Sequence, residues 1–157
     1  MHSPSSRFDE AADALATAGW CVLPRLLMEE ITAALARECA SMYSARRMTP
    51  ARVGGERLAS PLRGDQTRWF EMESLSPPQV PFAAAMEALR EALNRSLMLS
   101  LSDTEAHYAV YAPGASYARH LDRLRHSDAR VVSAVYYLND AWDPADGGAL
   151  RLYLDDG

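Results

Sequence analysis

Apolar side chains recur every three or four residues in three stretches of the first two thirds of the chain, the spacing that gathers them on one side of an α-helix. These stretches cover residues 8–18, 27–42 and 82–97, and we predict a core helix for each. Gly19 follows the first stretch and supplies a stop, because glycine readily takes the left-handed conformation that ends many helices. Residues 20–23 are then expected to form a short strand.

The last third of the chain has a different pattern. Residues 105–111 alternate between apolar and polar, residues 131–138 are β-branched and aromatic, and residues 149–154 form an apolar run after Gly147-Gly148. Each of these features predicts a strand. Helices that come first and strands that come second are typical of an α+β domain, in which an antiparallel sheet packs on helices.

Residues 44–69 show neither period, and we predict a long, mobile, basic loop there. Its arginines are Arg46, Arg47, Arg52, Arg57, Arg63 and Arg68. Loops of this length in a compact domain are uncommon unless they are functional or disordered. Two interpretations therefore stay open, a loop that contacts substrate and a loop that is only solvated.

Composition narrows the class of protein. The 157 residues carry 16 basic and 21 acidic side chains, a net charge of −5, and every basic residue is arginine. The acidic balance argues against binding to nucleic acid or to a membrane surface, and the lack of lysine excludes Schiff-base chemistry. Cys21 and Cys39 lie among apolar neighbours, as reduced thiols do, and no long apolar run is present. We expect one cytoplasmic, unanchored domain over residues 1–157.

One pair of residues suggests metal chemistry. His120 and Asp122 are two positions apart, so on an extended segment both side chains point to the same side and can reach one divalent ion. Taken alone, the pair is also explained by a surface histidine that is hydrogen-bonded to a neighbouring aspartate.

The residues around this pair resemble the 2-oxoglutarate- and iron-dependent oxygenases, most closely their prolyl 4-hydroxylase branch. The matching residues, in chain order, are Tyr111, Pro113-Gly114, Tyr117-Ala118-Arg119-His120-Leu121-Asp122, Arg130, Tyr136-Tyr137-Leu138-Asn139, Trp142 and Gly147-Gly148. They span about a third of the chain. Gly19-Trp20, and Arg63-Gly64-Asp65 ahead of Trp69, look like further features of this branch.

The resemblance implies roles for particular residues. His120 and Asp122 would be two of the three ligands in a His-Asp-His triad on Fe(II), although similar ligands also accept manganese. Tyr137 would donate its hydroxyl to the co-substrate 2-oxoglutarate, and Tyr111 would line the same pocket. Arg130 would be the catalytic-site residue that helps to hold the target peptide. The pocket walls would be Ser133, Val135 and Leu150. Ascorbate is a further cofactor to consider.

Simpler interpretations of these residues also stay open. Each tyrosine has the alternative of an ordinary aromatic residue whose hydroxyl is satisfied locally. Arg130 has the alternative of an arginine that forms a salt bridge where a strand begins. The basic loop lies where these hydroxylases carry a flexible segment that closes over the substrate.

The family pattern also contains a distal histidine and an arginine that pairs with 2-oxoglutarate. Neither is present in this sequence at the distance that the family pattern requires: after Asp122 the histidine is His126, four residues on in a polar stretch, and the arginines are Arg123, Arg125, Arg130 and Arg151. As a third ligand His126 would have to fold back onto the metal, and His107 shares strand parity with Tyr111 but stands at a position that lines the co-substrate cavity in the family. We therefore expect a C-terminally truncated chain of α+β class, in which N-terminal helices pack on a partial double-stranded β-helix (jelly roll) whose last strands are missing. Residues 8–99 would be the helical support and residues 103–157 the first half of the barrel.

Two functions follow from this resemblance. The first is an Fe(II)- and 2-oxoglutarate-dependent dioxygenase that hydroxylates a prolyl residue of a protein or peptide. The second is a catalytically inactive half-barrel that serves as a protein-binding or assembly module. Such a module would use its arginine-rich loop or an exposed sheet edge, and the edge would also allow the chain to form oligomers.

Overall fold

The structure, a computed structural model, describes residues 4–51, 63–122 and 131–154. The predictions for Arg130 and His126, and the centre of the basic loop at residues 52–62, lie outside the described residues. The helices are α1 (Pro4–Ala18), α2 (Glu29–Ser44) and α3 (Gln79–Leu97). The strands are β1 (Thr49–Pro50), β2 (Asp65–Trp69) and β3 (His107–Tyr111), and a short 3₁₀ helix covers Pro144–Asp146.

The three predicted helices are confirmed, with shifts at their first turns. α1 begins at Pro4 and ends at Ala18, and the next residue, Gly19, has φ +77° and donates its N–H to the Leu15 carbonyl over 3.1 Å. α3 already begins at Gln79, with Pro81 inside its first turn. Proline is tolerated there because the first N–H groups of a helix have no partner within it.

The strands form one antiparallel sheet in the order β1-β2-β3, so the described fold combines helices with a small antiparallel sheet. The predicted strand β3 is confirmed. The prediction of a loop throughout residues 44–69 is wrong at both ends, where β1 and β2 lie. Periodicity missed β2 because its buried side chains, Asp65 and Thr67, are polar rather than apolar.

The main core lies between α2 and one face of β3. Leu35 and Cys39 of α2 are buried with Met48 and Tyr108, and the Tyr108 hydroxyl donates to Glu38 Oε1 over 3.0 Å. Glu38 also accepts a 2.7 Å hydrogen bond from Gln79 Nε2 at the start of α3. A single carboxylate therefore connects two helices and the sheet.

Residues 131–154 contain no strand, so the strands predicted at 131–138 and 149–154 are wrong as assigned elements. A strand requires a hydrogen-bonded neighbour as well as an alternating sequence, and no described strand pairs with these residues. The alternation itself is present, because Tyr136 and Leu138 pack against the core while Val135 and Tyr137 are exposed. The hydroxyls of Tyr136 and Thr32 are 2.6 Å apart, which attaches this segment to α2.

Two smaller expectations can be compared with the structure. Residues 20–23 form no strand, and Val22 is largely exposed. Cys21 and Cys39 are both free thiols, as predicted, but of the two, both expected to be buried, Cys21 is partly exposed and Cys39 is buried. Within the described ranges, no helix combines the length and the apolar character that a bilayer crossing requires.

Candidate metal site

His120 and Asp122 are brought together as the sequence predicts. His120 Nε2 lies 3.0 Å from Asp122 Oδ1, and both side chains are partly open to solvent. Two ligands at neighbouring positions of an octahedral ion, each about 2.1 Å from it, are also about 3.0 Å apart. The separation of the two donor atoms therefore fits a shared divalent cation.

The other ring nitrogen of His120 fixes the orientation of the imidazole. Nδ1 lies 2.8 Å from the carbonyl oxygen of Ala118. A carbonyl only accepts, so Nδ1 carries the hydrogen, and in the neutral ring Nε2 then presents its lone pair to the Asp122 carboxylate. These two groups repel each other unless a proton or a metal cation lies between them. Metal-binding histidines are commonly held in this way, by a carbonyl on the far nitrogen.

The second carboxylate oxygen of Asp122 has its own partner. Ser133 Oγ donates to Asp122 Oδ2 over 2.5 Å, across eleven positions of the chain. The two oxygens of the carboxylate are thus divided between a histidine and a serine. The sequence placed Ser133 only as a pocket wall, although its shared parity with Tyr137 was the signal that it faces this side.

The imidazole of His120 stacks on the aromatic ring of Tyr117. The Tyr117 ring lies almost parallel to the imidazole, with centroids 3.5 Å apart and planes 13° apart. The Arg63 guanidinium lies 4.8 Å from the centroid of the same ring. Arg63 in turn forms a bidentate ion pair with Asp65, whose side chain is fully buried.

A glycine allows the Tyr117 loop to approach β2. The Gly64 N–H donates to the Ser116 carbonyl over 3.0 Å, and a Cβ at position 64 would lie 3.1 Å from the Cβ of Ala115. A side chain at position 64 would therefore require Ala115 to shift by a few tenths of an ångström. The Arg63-Gly64-Asp65 motif, noted in the sequence only as a family feature, supports the histidine physically.

Tyr111 lies at the same edge, because it pairs with Asp65 in the β2-β3 ladder. Partial burial raises the pKa of the Tyr111 hydroxyl, and the negative charge of Asp65 raises the pKa further. The hydroxyl therefore stays protonated at neutral pH and is available as a hydrogen-bond donor.

Tyr137 and Leu150 are also brought together. The Tyr137 hydroxyl donates to the Gly148 carbonyl over 3.1 Å and accepts from the Leu150 N–H over 2.9 Å. The hydroxyl is thus satisfied locally in the structure, and the ring is half exposed. The sequence assigned this hydroxyl to the co-substrate, and that role requires it to exchange the Gly148 carbonyl for a new acceptor.

His107 lies apart from this site. It is at the other end of β3, paired with Trp69, and the two ring centroids are 4.5 Å apart. Four steps along the strand lead from it to Tyr111, a distance of about 13 Å at the usual rise per residue. No group of three or more His, Cys, Asp or Glu side chains suited to a metal occurs in the described part of the chain.

Comparisons with known proteins find relatives for most of the chain. Residues 106–157 match the family described as the 2OG-Fe(II) oxygenase superfamily. The mouse protein Egl nine homolog 1 is 28% identical over 145 residues, which are 86% of this chain and 35% of that protein. A Caenorhabditis elegans hypoxia-inducible factor prolyl hydroxylase is 42% identical over 52 residues, which are 32% of this chain and 7% of that protein. The chain spans about a third of the length of its Egl nine relatives.

A solved structure is similar over most of the chain. The crystal structure of a Pseudomonas putida prolyl-4-hydroxylase superposes with a TM-score of 0.79 at 41% identity. The match covers 89% of this chain and 72% of that one. The similarity therefore extends well beyond residues 106–157 into the helical part of the chain. The chain belongs to the prolyl 4-hydroxylase-like branch of the 2-oxoglutarate- and Fe(II)-dependent oxygenases.

Proposed function

We propose that the chain carries the metal-binding and co-substrate-binding part of an Fe(II)- and 2-oxoglutarate-dependent dioxygenase that hydroxylates a prolyl residue. The observation that carries this proposal is the pairing of His120 Nε2 with Asp122 Oδ1, while Nδ1 is occupied by the Ala118 carbonyl. Nitrogen and oxygen donors with open neighbouring positions are the ligands that mononuclear Fe(II) oxygenases use.

The architecture we propose is one oxygenase-type domain. Residues 8–99 form its helical support, and residues 103–157 belong to the jelly roll of this family. The segment attached to α2 by Tyr136 would be a strand of that jelly roll. The alternation of buried and exposed residues along it supports this assignment.

When bound, Fe(II) would supply the activation of dioxygen: 2-oxoglutarate is oxidised to succinate and carbon dioxide, one oxygen atom enters succinate, and the other is inserted into a C–H bond of the substrate. The chain's own residues bind and orient the participants. His120 and Asp122 hold the ion through one nitrogen and one oxygen. Tyr137 donates its hydroxyl to the co-substrate carboxylate once it leaves the Gly148 carbonyl, and the protonated Tyr111 donates a second hydrogen bond into the same pocket. Exposed Val135 and Leu150 supply the apolar wall.

The substrate we propose is a prolyl residue within a protein or peptide. The names of a relative and of the similar solved structure support this choice, since both are prolyl hydroxylases. Arg130 is proposed to hold the peptide, on the strength of the family pattern alone.

Binding of metal and co-substrate tests the site. Under anaerobic conditions the purified chain is titrated with Fe(II) and then with 2-oxoglutarate, and the visible charge-transfer band of the complex is recorded. We expect the band in the unsubstituted chain and in Asp140→Ala, which removes an exposed carboxylate from residues 131–154. Asp122→Ala should abolish the band. An undiminished band in Asp122→Ala would refute the metal site.

Turnover tests the substrate class. The purified chain is incubated with Fe(II), 2-oxoglutarate and dioxygen, and with either proline-containing peptides or free proline. Each reaction is run with and without ascorbate. We expect succinate together with a peptide heavier by one oxygen atom. Oxygen incorporated into free proline but into no peptide would show that the substrate class is wrong, while the metal site would stand.

A further inference from the structure

We propose that Ser133 is a positioning residue that fixes Asp122 as a one-oxygen ligand. The inference rests on the proposed metal site. The 2.5 Å contact from Ser133 Oγ to Asp122 Oδ2 occupies one carboxylate oxygen, and the 3.0 Å contact to His120 Nε2 assigns the other oxygen to the ion. Ser133 thus binds one carboxylate oxygen of Asp122 and leaves the other oxygen for the metal ion.

Asp122 needs such a restraint because its carboxylate can rotate. Aspartate rotates about its last side-chain bond, so an unrestrained carboxylate can turn and offer both oxygens to a cation. A second carboxylate oxygen on the ion would take a position that a co-substrate needs. A hydroxyl donor to an ionised carboxylate forms a short, strong hydrogen bond. That bond holds Oδ2 away from the ion and leaves Oδ1 directed at it.

Ser133 is well placed to do this because its own segment is anchored. The residues of opposite parity hold the segment to the helices, with Tyr136 bonded to Thr32 and Leu138 packed on the core. On the side that faces the site, Tyr137 is tied to Gly148 and Leu150. The hydroxyl of Ser133 is therefore presented from a fixed backbone.

The side chain has no comparable packing role. Ser133 is exposed, and it stands on the face opposite to the residues that bury the segment. Its truncation should leave the fold unchanged, so an effect on metal binding can be separated from an effect on folding.

The test compares two side chains of the same shape. Mn(II), which is not oxidised in air, replaces Fe(II), and free Mn(II) is measured by electron paramagnetic resonance for the unsubstituted chain, Ser133→Thr, Ser133→Val and Ser133→Ala. Valine and threonine match in shape, but only threonine keeps the hydroxyl. We expect the valine and alanine variants to bind Mn(II) about 10- to 100-fold more weakly, and Ser133→Thr to restore most of the affinity. Thermal unfolding of each variant should match that of the unsubstituted chain.

The outcomes separate the two proposals. If Asp122→Ala loses Mn(II) while Ser133→Val and Ser133→Thr bind it equally, the role of Ser133 is overturned and the metal site stands. If the unsubstituted chain binds no Mn(II), or if Asp122→Ala binds it undiminished, the proposed site is wrong and the role of Ser133 falls with it. Should Ser133→Val unfold, the comparison of Ser133→Ala with Ser133→Thr decides.

Discussion

The Arg63 guanidinium holds the Asp65 carboxylate by two hydrogen bonds of 2.7 and 2.9 Å at the start of β2. Residues two apart on extended backbone point to the same side, which allows this bidentate pairing. The hydrogen bond to Asp65 raises the pKa of Arg63, so the cation persists throughout the neutral range. Arg63 also lies against the Tyr117 ring, and the His120 imidazole stacks on that ring. The Arg63-Asp65 ion pair therefore supports His120 through Tyr117.

Removal of Arg63 should therefore destabilise the protein strongly. Arg63→Ala leaves the buried Asp65 carboxylate without its counter-ion, and we expect a loss of about 3–5 kcal/mol in the free energy of unfolding. Arg63→Lys should recover only part of it, because an ammonium cannot form both bonds. Urea unfolding measures the change. Arg95→Ala is the control, since it removes an exposed ion pair with Asp9 and should cost at most about 1 kcal/mol. Equal losses in the alanine variants would contradict the prediction.

The stack on His120 gives a second prediction. Tyr117→Leu removes the aromatic face between Arg63 and the imidazole, and we expect a loss of about 1 kcal/mol in unfolding free energy. Tyr117→Phe should be close to neutral. Nuclear magnetic resonance of the His120 ring protons provides a local readout, because a stacked ring shifts them upfield. Those signals should move downfield in Tyr117→Leu and stay in place in Tyr117→Phe. Unmoved signals in both variants would show that the rings do not stack in solution.

Alkaline pH should weaken the core through Tyr108. Burial, and then the hydrogen bond to Glu38, raise the pKa of its hydroxyl well above the usual value. Since the unfolded chain releases this proton near pH ~10, the stabilisation is complete below that pH and declines as the pH rises above it.

The variant Tyr108→Phe isolates this effect. At neutral pH it should cost about 1.5–3 kcal/mol, because the hydrogen bond to the Glu38 carboxylate is lost. As the pH rises above about 10, its stability should fall less steeply than that of the unsubstituted protein. Urea unfolding across this range gives both curves. Parallel curves would contradict the assignment to Tyr108.

Hydrogen exchange should reveal the contact between Tyr137 and Leu150. Tyr137→Phe removes the oxygen that accepts from the Leu150 N–H, so this amide should exchange faster. The Leu101 N–H is an internal control, because it donates to the side chain of Asn94 and should exchange at an unchanged rate. Unchanged protection at Leu150 would show that the contact does not persist in solution.

The sequence predicted the features that depend on apolar spacing and on the His-x-Asp pair. All three helices were predicted from apolar side chains that recur every three or four residues. The His120-Asp122 contact was predicted because alternate residues of an extended segment point to the same side. Strand β2 was missed because Asp65 is buried by an ion pair with Arg63, which no pattern of apolar residues reports. Ser133 was placed on the correct face, but its bond to Asp122 depends on how two distant segments meet.

The two faces of strand β3 make different contacts. Tyr108 and Val110 hold it on α2, whereas Ala109 and Tyr111 point away from that core and are exposed. Ladder partners share a face of the sheet, so the side chains of Ala109 and Tyr111 lie beside Thr67 and Asp65, which are buried. Substitutions at 109 or 111 should therefore disturb the Arg63-Asp65 side of the sheet, while the contact of Tyr108 and Val110 with α2 remains.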